Sequence, residues 1–385
     1  MKAVKILFSI VFLAILVSNV RLISHWTESR GVYDDICYLR QAHLFQRFGW
    51  QGLDTSLARD DDGYLGAKLR SINYPEWNDP ARAPCHTQTA DGKKYVLTPP
   101  PGTGFVLALF PEGFQVIPLY ALANIIIAGF ALYGLWRARQ PGALALAVAF
   151  GALSIYFMIN PTKASYSMAP TMVVCSLAGL LTARLFADED RPRLLMLAIV
   201  GILLGLSASF RIANVLLSAG YFLFFGVSFL ILRNRTSFLQ GLSLGLGFLV
   251  GVVPVLAANM INSGNPLVSA YGGQDTQAPR LDLAVLRAYL GDTQFPLILL
   301  LCLWTALLWR FSSQSCVRRL ALLVAGNLAL NLAFFATHPV FTQYYTIPIA
   351  MLTLWTVLFA TIFSREMQGV QVDGPGRSEM LSRAT

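Results

Sequence analysis

Two adjacent carboxylates, Asp34 and Asp35, stand near the start of the stretch Tyr33-Asp34-Asp35-Ile36-Cys37-Tyr38-Leu39-Arg40-Gln41-Ala42-His43-Leu44-Phe45. A carboxylate at a water–lipid boundary, partly desolvated and beside a like charge, has its pKa raised. Such a group can take a proton from an attacking hydroxyl. The same pair could hold a divalent cation. Either one could instead cap a helix, accepting the orphan N–H groups at its positive end. Tyr38, Ala42 and Phe45 share a helical face and Leu44 pairs with Phe48, so this stretch reads as an amphipathic helix lying on the outer leaflet. Arg40 within it is a candidate substrate contact.

Three further stretches carry polar chemistry. In Lys93-Lys94-Tyr95-Val96-Leu97-Thr98-Pro99-Pro100-Pro101-Gly102-Thr103-Gly104 the prolines stop regular structure and the glycines allow close backbone approach. Lys93 and Lys94 stand where a lipid phosphate would be, as specific ligands or as ordinary headgroup contacts, with Tyr95 beside them. The stretch Asn262–Asp275, with Tyr271, reads as a turn-rich loop followed by a short apolar helix. Thr337–Tyr345 contains His338 and Tyr345, either a rim that contacts sugar or phosphate or part of an aromatic belt. Arg211 is another outer cation that could meet a phosphate, or one that snorkels from a helix end. Asp60, Asp61 and Asp62 read as a solvated turn without calcium-loop spacing. Cys37 and Cys85 share one polar segment and could pair in an oxidising compartment. No CxxC pair or His/Cys cluster of zinc spacing occurs.

The elements that must position these residues are set by composition. Of 385 residues, 55% are hydrophobic and 13% charged, about half the charge of a soluble domain. That excludes a soluble enzyme, a disordered chain and a disulfide scaffold, and the long uncharged runs make the chain a helical membrane protein. The net charge of +9 is spread over many short loops rather than gathered on one face, which argues for helix orientation and against nucleic-acid binding.

Ten spans are expected, at 5–24, 112–136, 141–159, 169–187, 194–210, 213–232, 236–259, 293–310, 320–336 and 341–363. Placing the N-terminus in the cytoplasm puts the arginine-bearing loops at Arg137, Arg191, Arg233, Arg318 and Arg365 on that side. The first span is read as an uncleaved helix, since no A-x-A-like site follows it. The fold class is therefore an all-α polytopic membrane protein with a large outer first loop carrying amphipathic interfacial helices. Residues 1–363 form one transmembrane domain, with outer loops at 25–102 and 260–292, and 364–385 form a disordered cytoplasmic tail. The first loop holds ten of the chain's twenty acidic residues. No internal repeat is evident.

In this order, the acidic pair Asp34-Asp35, the segment Thr98–Phe110, the Gly264-Asn265-Pro266-Leu267 loop running to Tyr271-Gly272 and the turn with His338 together resemble the GT-C-type membrane glycosyltransferases that use polyprenyl-phosphate sugars. Among these are protein mannosyltransferase-like and aminoarabinose transferase-like enzymes of bacteria. The resemblance implies a glycosyltransferase of the bacterial inner membrane with its active site on the periplasmic face. It implies Asp34 or Asp35 as catalytic base, and Lys93, Lys94 or Arg211 on the donor phosphate. Arg40, Tyr95, Tyr271, His338 and Tyr345 would be further substrate contacts. The partners implied are a polyprenyl-phosphate sugar, a lipid, glycan or protein acceptor, and membrane lipids; a divalent cation is the one cofactor left open. The rival readings are a flippase or transporter for lipid-linked saccharides, an O-antigen polymerase or ligase, and a non-enzymatic assembly subunit. Alkaline phosphatase fused after residue 94 is expected to be active and after residue 137 inactive; the inverse pattern would overturn the orientation.

Overall fold

The computed structural model describes residues 1–27, 35–79, 82–157, 165–187, 193–270, 281–291, 295–337 and 342–372. The described chain is all-α apart from one two-stranded hairpin. Helix α1 (Lys2–Ser24) leads into a loop module. This comprises α2 (Asp35–Phe48), 3₁₀ turns at Gly49–Leu53 and Leu57–Arg59, α3 (Tyr64–Ser71), strands β1 (His86–Gln88) and β2 (Tyr95–Leu97), and α4 (Gly102–Ala108). The bundle continues with α5 (Val116–Arg137), α6 (Pro141–Phe157), α7 (Met168–Ala187) and α8 (Leu194–Phe210). A 3₁₀ stretch at Ile212–Ser218 then opens α9 (Ala219–Leu232), followed by α10 (Arg235–Ser263). The last elements are α11 (Leu283–Gly291), α12 (Phe295–Phe311), α13 (Ser315–Thr337) and α14 (Thr342–Val372).

Among the described residues seven stretches are long and apolar enough to cross a membrane: α1, α5, α7, the continuous Ile212–Leu232, α10, α13 and Tyr345–Phe363 of α14. Helices α11 and α12, at 88° to one another, would together make an eighth. Helices α6 and α8 are apolar but 17 residues long, or about 25 Å. Two boundaries differ from the hydropathy reading. Helix α10 runs past 259 to Ser263 and stops where Gly264 takes φ +71, so Asn262 lies on a helix and not in a loop. Helix α14 continues nine residues into the expected tail, which contains no proline before Val372 to stop it; residues 373–385 lie outside the described chain.

The tightest packing in the bundle comes from four glycines. Gly201 and Gly205 on α8 face Gly247 and Gly251 on α10, each pair in G-x-x-x-G spacing, which puts both on one helical face. A methyl group on Gly205 would lie 2.3 Å from the Phe248 carbonyl oxygen, and one on Gly247 2.1 Å from that of Ala198. The two backbones therefore touch directly. In lipid, where apolar side chains gain nothing by leaving the solvent, such close approach is what holds helices together. Polar pairs add to it: Asn19 Nδ2 donates to Asn124 Oδ1 at 3.0 Å, and Gly220 N–H to Asn327 Oδ1 at 3.1 Å.

The loop module corrects the expectation of an interfacial helix. Every residue of α2 from Asp35 to Ala42 is buried. The helix does not rest one apolar face on lipid; it is enclosed by α4, the first 3₁₀ turn and α3. The hairpin covers it too, through the Cys37–Cys85 disulfide, which closes a separation of 48 residues. Periodicity marks which face is apolar, but not whether protein or lipid covers it.

Gly205→Val is expected to force the α8 and α10 backbones about 1 Å apart and to lower thermal stability in detergent by about 1–3 kcal/mol. Gly226→Ala, where nothing lies within 4 Å, is the control and should leave the melting temperature unchanged or raise it.

Candidate functional site

One face of α2 carries Asp35, Tyr38 and Gln41, three residues apart and so aligned. Asp35 is 1% exposed, and its Oδ1 accepts the Tyr166 N–H at 3.0 Å. Tyr166 belongs to the buried Ser165-Tyr166-Ser167 turn ahead of α7. The Tyr120 hydroxyl donates to the Ser165 carbonyl at 3.1 Å, and the Ser165 and Ser167 hydroxyls are bonded to each other at 3.1 Å. The Tyr38 phenol hydrogen-bonds with both serine side chains and lies within electrostatic reach of Asp35 and Arg211. Burial pushes the Tyr38 phenol above its ordinary pKa, against the pull of Arg211 and the serines, so at neutral pH it remains a protonated donor.

Arg211 occupies the break between α8 and the following 3₁₀ stretch, with extended backbone (φ −158). Asn214 holds that break: its Nδ2 donates to the Ser207 carbonyl at 2.9 Å and to Thr171 Oγ1 at 3.2 Å. The Arg211 guanidinium is also within electrostatic reach of Tyr345, at the start of the last span. A carboxyl group and a phenol on α2 thus lie within electrostatic reach of one another, and the phenol within reach of a cation from the break after α8.

Beside them lies a small cleft of about 20 Å³, partly open to solvent. Its walls are Gln41 of α2, Thr55, the Leu97–Pro101 strand end, Ile212, then Val255, Ala258, Asn259 and Asn262 of α10, and Ser269 and Ala270 beyond it. Two glycines let the walls close. A methyl on Gly102 would lie 2.7 Å from the Ser209 carbonyl oxygen, and one on Gly104 2.6 Å from the Gln41 side chain. Asn262 fastens the loop module to α10. Its Oδ1 accepts from Thr55 N–H (3.0 Å) and Thr55 Oγ1 (3.1 Å). Its Nδ2 donates to the carbonyls of Leu53 (2.8 Å) and Ala258 (2.9 Å).

The structure distributes the residues singled out by sequence unevenly. Asp35 and Arg211 each lie within electrostatic reach of Tyr38, and Arg211 within that of Tyr345. Asp34, Tyr271 and His338 lie outside the described residues. Lys93 and Lys94 are exposed in the turn of the hairpin, with Lys93 Nζ 3.7 Å from Asp91. They stand about 10–13 Å along the strand from Leu97 and do not line the cleft. Half-buried Tyr95 pairs with Gln88 within the hairpin. Arg40 requires a correction. It is 0% exposed, and its guanidinium donates to the Thr55 carbonyl (2.9 Å), the Ser56 carbonyl (3.0 Å) and His86 Nε2 (3.0 Å), with Asp60 at 3.6 Å. A buried cation must be compensated internally, and this one spends both terminal nitrogens on the loop module, with its Nε facing Asp60 at 3.6 Å, not on a substrate. The Asp60–Asp62 run is a turn with partners: Asp60 accepts the Leu65 N–H, Asp61 binds Arg47 and Asp62 binds His43. Among the described residues no three His, Cys, Asp or Glu side chains converge to hold a metal.

Sequence reasoning did not single out Gln41, Thr55, Ser165, Ser167 or Asn214, and it read Asn262 as part of a loop. Uncharged polar residues in apolar surroundings were the available signal, and Asn262 was obscured because α10 outruns its apolar stretch. No protein-family profile, curated protein or solved structure matches this chain.

His86 reports on the integrity of the module. Burial, with Arg40 beside it, pushes its pKa down from 6.5 to about 3. The neutral ring accepts from Arg40 at Nε2 and donates from Nδ1 to the Pro84 carbonyl at 2.9 Å. With the folded value below the unfolded one, this stabilisation is complete above pH 6.5. As pH falls toward 3 the unfolded chain takes the proton first, and about 1.4 kcal/mol is lost per pH unit. Amide exchange in residues 86–97, corrected for its intrinsic pH dependence, should accelerate between pH 7 and 4; His86→Gln should flatten that response.

Proposed function

We propose that this chain is a glycosyltransferase of ten spans that moves a sugar from a polyprenyl phosphate to a lipid, glycan or protein acceptor at the outer face of the inner membrane. The observation that carries the reading is that Asp35 and Arg211 both lie within electrostatic reach of buried Tyr38, near a small, partly open cleft lined by Gln41 of the same helix and Ile212. In the ten-span count, α6, α8 and the α11–α12 pair complete the seven longer spans. The Cys37–Cys85 disulfide supports an oxidising compartment for the loop module. The exposed ridge of Trp50, Phe105, Leu109 and Phe114 supports contact of that module with lipid.

The chemistry needs two groups. A base must take the proton of the attacking hydroxyl while the glycosyl–phosphate bond breaks, and Asp34 or Asp35 serves in that role. A cation must stabilise the negative charge that remains on the departing phosphate, and Arg211 is preferred to Lys93 and Lys94 because it lies within electrostatic reach of Tyr38 on the helix that carries Asp35. Tyr38, protonated, supplies a neutral donor between them. In a low-dielectric setting these charges act more strongly than in water. A transporter is disfavoured because no internal repeat is evident in the sequence.

Release of polyprenyl phosphate from a sugar donor is measured in vesicles containing envelope lipids and glycans as acceptors. Asp34→Asn or Asp35→Asn should reduce turnover by about 10²- to 10⁴-fold and Arg211→Gln by a comparable factor. Wild-type rate in the Asp34→Asn/Asp35→Asn double variant would overturn the assignment.

A further inference from the structure

We infer that Asn214 is a positioning residue for Arg211: through Thr171 and Ser167 it sets the break after α8 in register with Tyr38, so that the guanidinium is a prearranged contact for the phosphate of a lipid donor. This rests on the glycosyl-transfer reading above and deepens it by naming what holds the cation in place.

Helix α8 stops at Phe210, and a stopped helix leaves its last carbonyls without their usual partners. Here the stop falls among buried residues, Ser207 to Phe210. Asn214, 2% exposed, bonds to both sides of the break. Its Nδ2 donates to the Ser207 carbonyl at 2.9 Å, and its backbone N–H donates to the Arg211 carbonyl at 3.0 Å. The Thr103 hydroxyl donates to the Phe210 carbonyl at 3.3 Å. Between these bonds Arg211 is extended (φ −158, ψ 125). A helical residue carries its Cα–Cβ bond tilted toward the helix N-terminus. The extended backbone frees Arg211 from that direction, and Asn214 holds the backbone in that form.

A simple cap would end at those bonds, but the connection continues. Asn214 Nδ2 also donates to Thr171 Oγ1 on α7 at 3.2 Å. That hydroxyl donates to the Ser167 carbonyl at 2.8 Å. The Ser167 side chain hydrogen-bonds with the Tyr38 phenol on α2. Asn214, Thr171, Ser167 and Tyr38 are all buried. The path closes on itself, because Tyr38 lies within electrostatic reach of Arg211.

The chemistry of each link is specific. An amide nitrogen has two N–H donors, and Asn214 directs one to α8 and one to α7. The Thr171 hydroxyl accepts one bond and donates one; valine has its shape and neither function, serine has both functions. Among buried groups such bonds fix geometry, since the alternative is an unpaired polar atom. A cation whose backbone is already set loses less freedom when a phosphate arrives.

The full chain in phosphatidylcholine nanodiscs is titrated with tritiated farnesyl phosphate and with farnesol, which has the same chain and no phosphate; binding to empty discs is subtracted. Wild type is expected to bind the phosphate about tenfold or more tighter than the alcohol, and Arg211→Gln to remove that advantage with farnesol unchanged. Asn214→Leu, of similar size, and Thr171→Val should each weaken the phosphate about fivefold or more and leave farnesol within about twofold, although Arg211 is still present. Thr171→Ser should stay close to wild type. In an Arg211→Gln background, Asn214→Leu should cost less than about a further twofold. An unchanged phosphate affinity in Asn214→Leu or in Arg211→Gln, an equal loss for both probes, or a full loss on top of Arg211→Gln would overturn the positioning role and leave glycosyl transfer standing. Wild-type protein that binds the phosphate no tighter than farnesol would overturn the glycosyl-transfer reading together with this one. If Asn214→Leu does not fold, Thr171→Val and Thr171→Ser decide the question, and equal phosphate affinities in those two overturn the inference.

Discussion

A helix that carries both an aspartate and an arginine is enclosed on every side over its first eight residues. That is the constraint on which the rest of the loop module depends. Burying α2 removes water from the Asp35 carboxylate and the Arg40 guanidinium, and each must then be compensated within the protein. Arg40 is compensated by carbonyls of Thr55 and Ser56, by neutral His86 and by Asp60. Those contacts draw the 54–60 segment and the hairpin onto the helix. Asp35 takes the Tyr166 amide from the opposite direction and so draws in the turn before α7. The disulfide at Cys37 adds a covalent link to the hairpin. The irregular chain between α1 and α5 is thereby given one arrangement.

The second system is the glycine-lined contact of α8 with α10. It sets where the ends of those helices stand, and both ends contribute to the cleft: Ile212, just beyond α8, and Val255 to Asn262 on α10. Asn262 joins the two systems by spending both amide atoms on the backbone of 53–55 and its own helix and on the Thr55 hydroxyl. The cleft is therefore bounded on one side by a charge-stitched loop module and on the other by close-packed helices. Its position relative to Asp35 and Arg211 is rigid for both reasons.

The sequence was legible where a local pattern sufficed. Apolar runs located the helices, the G-P-rich segments marked the connections, and the acidic pair marked the start of α2. It was misleading where a side chain's neighbours decided its role. Arg40 and Arg211 are the same residue type, each near polar loops, yet one is entombed as a structural cation and the other stands half-buried beside two tyrosines. Lys93 and Lys94 looked suited to an anion because of the prolines that follow them. The hairpin register, with Gln88 opposite Tyr95, turns them away from the cleft into its tip.

From the chain's order of residues alone came its helical, membrane-spanning character, the concentration of acidic groups between the first two long helices, and the pair of cysteines able to meet. These follow from properties averaged over some twenty neighbouring residues, or from simple proximity in one segment. Only the tertiary structure decided that Asp35 meets the turn at Tyr166, that Asn262 grips Thr55 and that Gln41 lines a cleft walled by α10. Those contacts join residues 131 and 207 positions apart in the bonded pairs. Such contacts depend on how whole helices pack, which no local period or propensity encodes.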